Sequence, residues 1–112
     1  PLVQKGLRET REKYVDRDGL RDRLGALVTH WEEVKARLAA QLLPAVELQE
    51  MLAAAGAPSR PEDIGLSAQD VRDTFPRAMY YRSRYTVLDL AREIGWFDEV
   101  VDEVFSADGL WA

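Results

Sequence analysis

The stretch Met79-Tyr80-Tyr81-Arg82-Ser83-Arg84-Tyr85-Thr86-Val87-Leu88-Asp89-Leu90 concentrates the aromatic and cationic side chains of this chain. Arg82 and Arg84 lead into Thr86, whose side chain can cap a helix beginning at Val87, with Asp89 where a capping box puts its acid. Cations beside a helix start supply fixed positive charge and backbone donors, the combination that holds a phosphate. Arg82, Arg84 and Thr86 are therefore the candidate residues for an anion, either contacting a phosphate or forming the wall beside it. The competing reading is a loop joining two helices, its arginines pairing with helix-end carbonyls or with Asp70, Asp73 and Asp89.

Other chemistry is scarce. The single histidine, His30, lies between Leu27 at i−3 and Val34 at i+4, which places it on a helix surface or half-buried, and one histidine cannot build a histidine metal cluster. There is no cysteine, which excludes disulfides, thiolate metal sites and cysteine nucleophiles. The acid pairs Glu32-Glu33, Glu62-Asp63 and Asp102-Glu103 are adjacent in sequence, so on helices they point in different directions. No glycine-rich phosphate loop, nucleophile elbow or HExxH pair occurs. On its own residues the chain is expected to carry no catalytic centre, no metal site and no cofactor.

The elements that must position the arginines read as helices throughout. Leu2 to about Val15 is a charged helix with a narrow apolar stripe, and Asp16-Arg17-Asp18-Gly19 reads as a break. Leu20, Leu24, Leu27, Val28, Trp31, Val34, Leu38 and Leu42 recur at three and four, predicting one long central helix. Pro44 suits the first turn of the next helix, whose buried face would be Val46, Leu48, Met51, Leu52 and Ala55, with Gly56 as the stop. Pro61 to Gly65 predicts one short turn. Ser67 with Asp70 opens a helix in which Pro76 predicts a kink or a break. Val87 to Ile94 follows, ended by Gly95. Phe97, Val100, Val101, Val104 and Phe105 then form the apolar face of a last helix; left bare, such a face is an interface, so these are the candidate interface residues. Trp31, Trp96 and Trp111 are expected to pack. The fold class is all-α, about six helical segments in an antiparallel bundle-like array, forming a single domain over residues 1–112.

The net charge of −5 argues against nonspecific nucleic-acid binding, and no apolar run approaches a membrane span, so a cytoplasmic protein is expected. Residues 1–37, 38–86 and 87–112 carry +2, −1 and −6, which gathers the acidity at the end of the chain. Pro1 in place of methionine is expected of a segment inside a longer reading frame or of a processed chain.

Three blocks of residues carry a family resemblance. Trp31-Glu32-Glu33-Val34-Lys35-Ala36-Arg37-Leu38 with Gln41-Leu42-Leu43-Pro44 form one. Met51-Leu52-Ala53-Ala54-Ala55-Gly56-Ala57-Pro58 with Pro61-Glu62-Asp63-Ile64-Gly65 form another, and Arg82-Ser83-Arg84-Tyr85-Thr86-Val87-Leu88-Asp89-Leu90-Ala91 the third. In order and spacing, with Lys13-Tyr14 ahead of them, they resemble the C-terminal helical part of the sn-glycerol-1-phosphate dehydrogenases, in the bacterial branch within the iron-containing alcohol dehydrogenase and dehydroquinate synthase superfamily. The resemblance implies a longer protein in which a Rossmann-like N-terminal domain binds NAD(H) or NADP(H). A divalent metal held by an aspartate and two histidines would polarise the carbonyl of dihydroxyacetone phosphate for hydride transfer. Those ligands precede this segment in the family. Relatives carry a histidine where this chain reads Tyr80-Tyr81, a departure close to the arginines. The implied partners are the N-terminal nucleotide-binding domain and a second copy of the chain in a homodimer. The alternative is a stand-alone helical module for protein interaction, without enzymatic activity.

Overall fold

Lys13 of the first helix and Arg23 of the second reach across to the last third of the chain, and the fold is best followed from those elements. The computed structural model describes residues 1–111. It contains α1 (Leu2–Lys13), α2 (Arg17–Thr29), α3 (Trp31–Gln41), α4 (Ala45–Ala54), a 3-10 turn (Pro61–Ile64), α5 (Ala68–Ala78), α6 (Val87–Glu93) and α7 (Phe97–Val104), with no strand among the described residues.

Local signals set most of the boundaries. Ser67 Oγ accepts from the Asp70 amide at 3.1 Å while the Asp70 carboxylate takes the Ser67 amide at 2.9 Å, a complete capping box at the start of α5. Gly56 and Gly95, with φ of +68° and +79°, end α4 and α6 in the left-handed region that a side chain resists. The break after α1 falls at Tyr14–Asp16 and not over Asp16–Gly19, because Asp16 is itself an N-cap: its carboxylate accepts from the Gly19 amide at 2.9 Å, and Arg17 to Gly19 are helical.

One expectation about continuity fails, and of the kink or break expected at Pro76 the break is absent. The long central helix is interrupted at His30, whose φ and ψ of −107° and 15° separate α2 from α3. Periodicity reports which residues would share a face, and that pattern survives an interruption of one residue. Pro76 does not split α5, which runs through it to Ala78. With the proline one turn from the C-terminus, little helix remains beyond it to be broken off.

The core is small and belongs to the second half of the chain. Met79, Ala91, Phe97 and Val101 are buried, with Phe75, Leu88 and Phe105 packed against them. Phe75, Phe105 and Trp111 form an aromatic cluster, Phe75 edge-on to both others at 5.4 and 6.4 Å. An Arg72–Asp102 ion pair joins α5 to α7, and the Arg92 guanidinium sits 3.9 Å over the Phe97 ring.

The expected buried face of α4 is solvent-exposed: Val46, Leu48, Met51 and Leu52 are open, as are Leu38, Leu42 and Leu43 before them. Trp31 and Trp96, expected to pack, are 45% and 63% exposed and flank an open apolar hollow with Leu27, Val28 and Ile94. In total the chain exposes 8840 Å². A self-sufficient monomer of 12.7 kDa would expose about 6,200 Å². The Cα radius of gyration, 16.3 Å, likewise exceeds the roughly 13 Å of a compact domain this long. No described helix is long and apolar enough to cross a membrane.

Candidate functional site

The loop between α5 and α6 carries Arg82, Arg84 and Thr86, and three other elements hold it. From α1, Glu9 and Lys13 lie four residues apart on one helical face. Glu9 Oε2 accepts from the Ser83 amide at 2.8 Å, fixing the backbone between the two arginines. Lys13 Nζ pairs with Asp89 Oδ1 at 2.6 Å and also donates to the Met79 carbonyl. From α2, Arg23 pairs with Glu93 of α6 and lies 4.9 Å from the centre of the Tyr85 ring. The Tyr85 hydroxyl donates to the other oxygen of Glu93 at 2.6 Å.

Asp89 is the centre of this clamp. The Lys13 and Asp89 side chains are 7% and 8% exposed, so the pair is nearly dry. Both donors of Thr86 go to Asp89 Oδ2, the amide and the hydroxyl each at 2.8 Å. Burial pushes the Asp89 carboxyl up, yet the Lys13 ammonium and the two Thr86 donors outweigh it and hold it below its usual 3.8. At Tyr85 the effects run the other way. Burial first, then the bond to and charge of Glu93, push its phenol up to about 12 against the opposing Arg23.

Arg82 and Arg84 are exposed and line one hollow of about 360 Å³ with Ala78, Met79, Tyr81 and Thr86. No carboxylate lines it. Among the described residues neither arginine has an ion-pair partner: Asp70 is taken by Ser67, Asp73 by Gln69 and Asp89 by Lys13 and Thr86. The Thr86 amide and hydroxyl are not available to a ligand, since both donate to the protein's own Asp89 carboxylate. An anion in the hollow would therefore meet the two guanidinium groups and not the Thr86 donors.

The candidate interface residues divide. Phe97 and Val101 are buried in the core, Val104 and Phe105 are half-buried, and Val100 is 40% exposed. His30 stands exposed at the α2–α3 junction, its Nδ1 3.7 Å from Glu33. The described residues contain no group of three histidine, cysteine or acidic side chains able to hold a metal.

Glu9, Lys13, Arg23 and Glu93 were not singled out for any site role from the sequence. Their only local signal is the i, i+4 placement of Glu9 and Lys13; their partners lie far along the chain. Compared with known protein families, curated proteins and solved structures, the chain matches none of them.

Proposed function

We propose that this chain is the helical C-terminal domain of a two-domain sn-glycerol-1-phosphate dehydrogenase, which reduces dihydroxyacetone phosphate with NAD(P)H. The domain is not catalytic by itself. Its helices complete an antiparallel bundle-like array only against the rest of the enzyme, in the cytoplasm. The carrying observation is the surface: 8840 Å² exposed is about 2,600 Å² more than a monomer of this mass needs. That excess exceeds the roughly 800 Å² per partner of an ordinary interface and matches an obligate one. The uncovered apolar side chains of α1, α3 and α4 supply the face that a nucleotide-binding domain would cover. The resemblance of the three sequence blocks supplies the identity of that domain.

The nucleotide site and the metal ligands of such an enzyme precede this segment in this reading, the metal lying between the two domains, and no step of the reaction is assigned to residues of this chain. The same exposed helices would also suit a stand-alone interaction module. The two readings part on the coding sequence upstream of Pro1 and on activity. A glycine-rich nucleotide-binding turn and histidine ligands upstream, with nicotinamide oxidation dependent on dihydroxyacetone phosphate in the native polypeptide, are expected for the dehydrogenase. A native start at Pro1, or turnover by the purified 112-residue chain, would refute the proposal.

A further inference from the structure

We propose that Arg82 and Arg84 form a receptor for a tetrahedral dianion of the phosphate monoester class, kept available by a clamp that occupies the carboxylates around it. This rests on the proposed function only in naming a phosphorylated substrate as the natural ligand.

The argument is one of charge accounting in a small space. Three acids bond to the loop or to α6, and each is committed: Asp89 to Lys13 and Thr86, Glu93 to Arg23 and Tyr85, Glu9 to the Ser83 amide, while Glu12 lines a different hollow with Ser83 and Tyr85. Two arginines, one on either side of Ser83, line one hollow to which no carboxylate contributes, on a chain whose net charge is −5. Guanidinium forks bind tetrahedral oxyanions through paired charge-assisted bonds, and a dianion gains from both. Glu9 is the one anion of the set without a cationic partner. It lowers affinity for the ligand while its hydrogen bond shapes the loop.

The test is calorimetric titration of the native polypeptide with inorganic phosphate at low ionic strength, where screening is weakest. Arg82→Gln and Arg84→Gln should each weaken phosphate binding roughly tenfold or more, the loss expected for a charge-assisted bond. Circular dichroism should show no change in helix content. Glu9→Gln, which keeps an acceptor for the Ser83 amide, should tighten phosphate binding. No binding at millimolar phosphate, or binding that survives both arginine substitutions, overturns the receptor. Binding to vesicles containing phosphatidic acid without binding of inorganic phosphate overturns its assignment to a soluble ligand. Failure of the dehydrogenase reading is separately visible: the native polypeptide would then bind phosphate through these arginines yet show no turnover of dihydroxyacetone phosphate. If turnover occurs and neither arginine changes its KM, the receptor fails while the enzyme stands.

Discussion

Replacing Lys13 by methionine removes the ammonium from Asp89 while keeping most of the side-chain volume, and it tests the clamp directly. The pair is nearly dry, its nitrogen and oxygen 2.6 Å apart. Breaking such a pair from one side costs about 3–5 kcal/mol, because the remaining charge stays buried without its partner. Asp89 would keep both Thr86 donors, so the lower end, about 3 kcal/mol, is expected. That is a large share of the roughly 6–17 kcal/mol that holds a chain of this length folded. It should lower Tm by roughly 10–15 °C. The pH dependence supplies the sharper signature. In the wild type the Asp89 carboxyl lies below its usual 3.8, so its contribution is present above that value and lost as pH falls through the lower folded one. In Lys13→Met the upward push of burial is no longer opposed by the ammonium, and protonation relieves the buried charge. The deficit relative to wild type should thus be greatest at neutral pH and shrink by about pH 4. Urea denaturation followed by far-UV circular dichroism at both pH values reads it. A deficit under about 1 kcal/mol at neutral pH, or one equal at both, would refute a buried, charged Lys13–Asp89 pair.

Tyr85 should titrate late in an alkaline ultraviolet titration, near pH 12, and Tyr85→Phe should abolish that late phase. Because the folded state favours the protonated phenol, its contribution is complete below the ordinary value of 10 and disappears as pH rises through about 12; wild-type stability should fall across that window more than that of Tyr85→Phe. Phe97→Ala should cost about 3–5 kcal/mol in urea denaturation, since the ring is 3% exposed in the core of α5, α6 and α7. Val100→Ala, at 40% exposure, should cost under about 1 kcal/mol in the chain alone, and a much larger effect would mean that Val100 is covered by another molecule.

What the amino-acid sequence determined by itself was short-range. The capping boxes Ser67/Asp70 and Thr86/Asp89 and the stops at Gly56, Gly65 and Gly95 are decided by groups within a few residues of one another. The all-helical class follows from the same local terms with the apolar period. Tertiary structure decided what those helices meet. Lys13 bonds a carbonyl 66 residues away and Arg23 a carboxylate 70 residues away, and no pattern along the chain marks either as a partner. It also decided that the Val46, Met51 and Leu52 face and the two tryptophans Trp31 and Trp96 stay open. An amphipathic period fixes the direction in which a side chain points. Burial requires another surface in that direction, and a second surface is a property of the whole molecule. The site divides along the same line: two arginines two residues apart were readable as cations, but only the fold shows that Asp89 and Glu93 are held by Lys13 and Arg23, from helices at the other end of the chain, and that among the described residues neither arginine has an ion-pair partner.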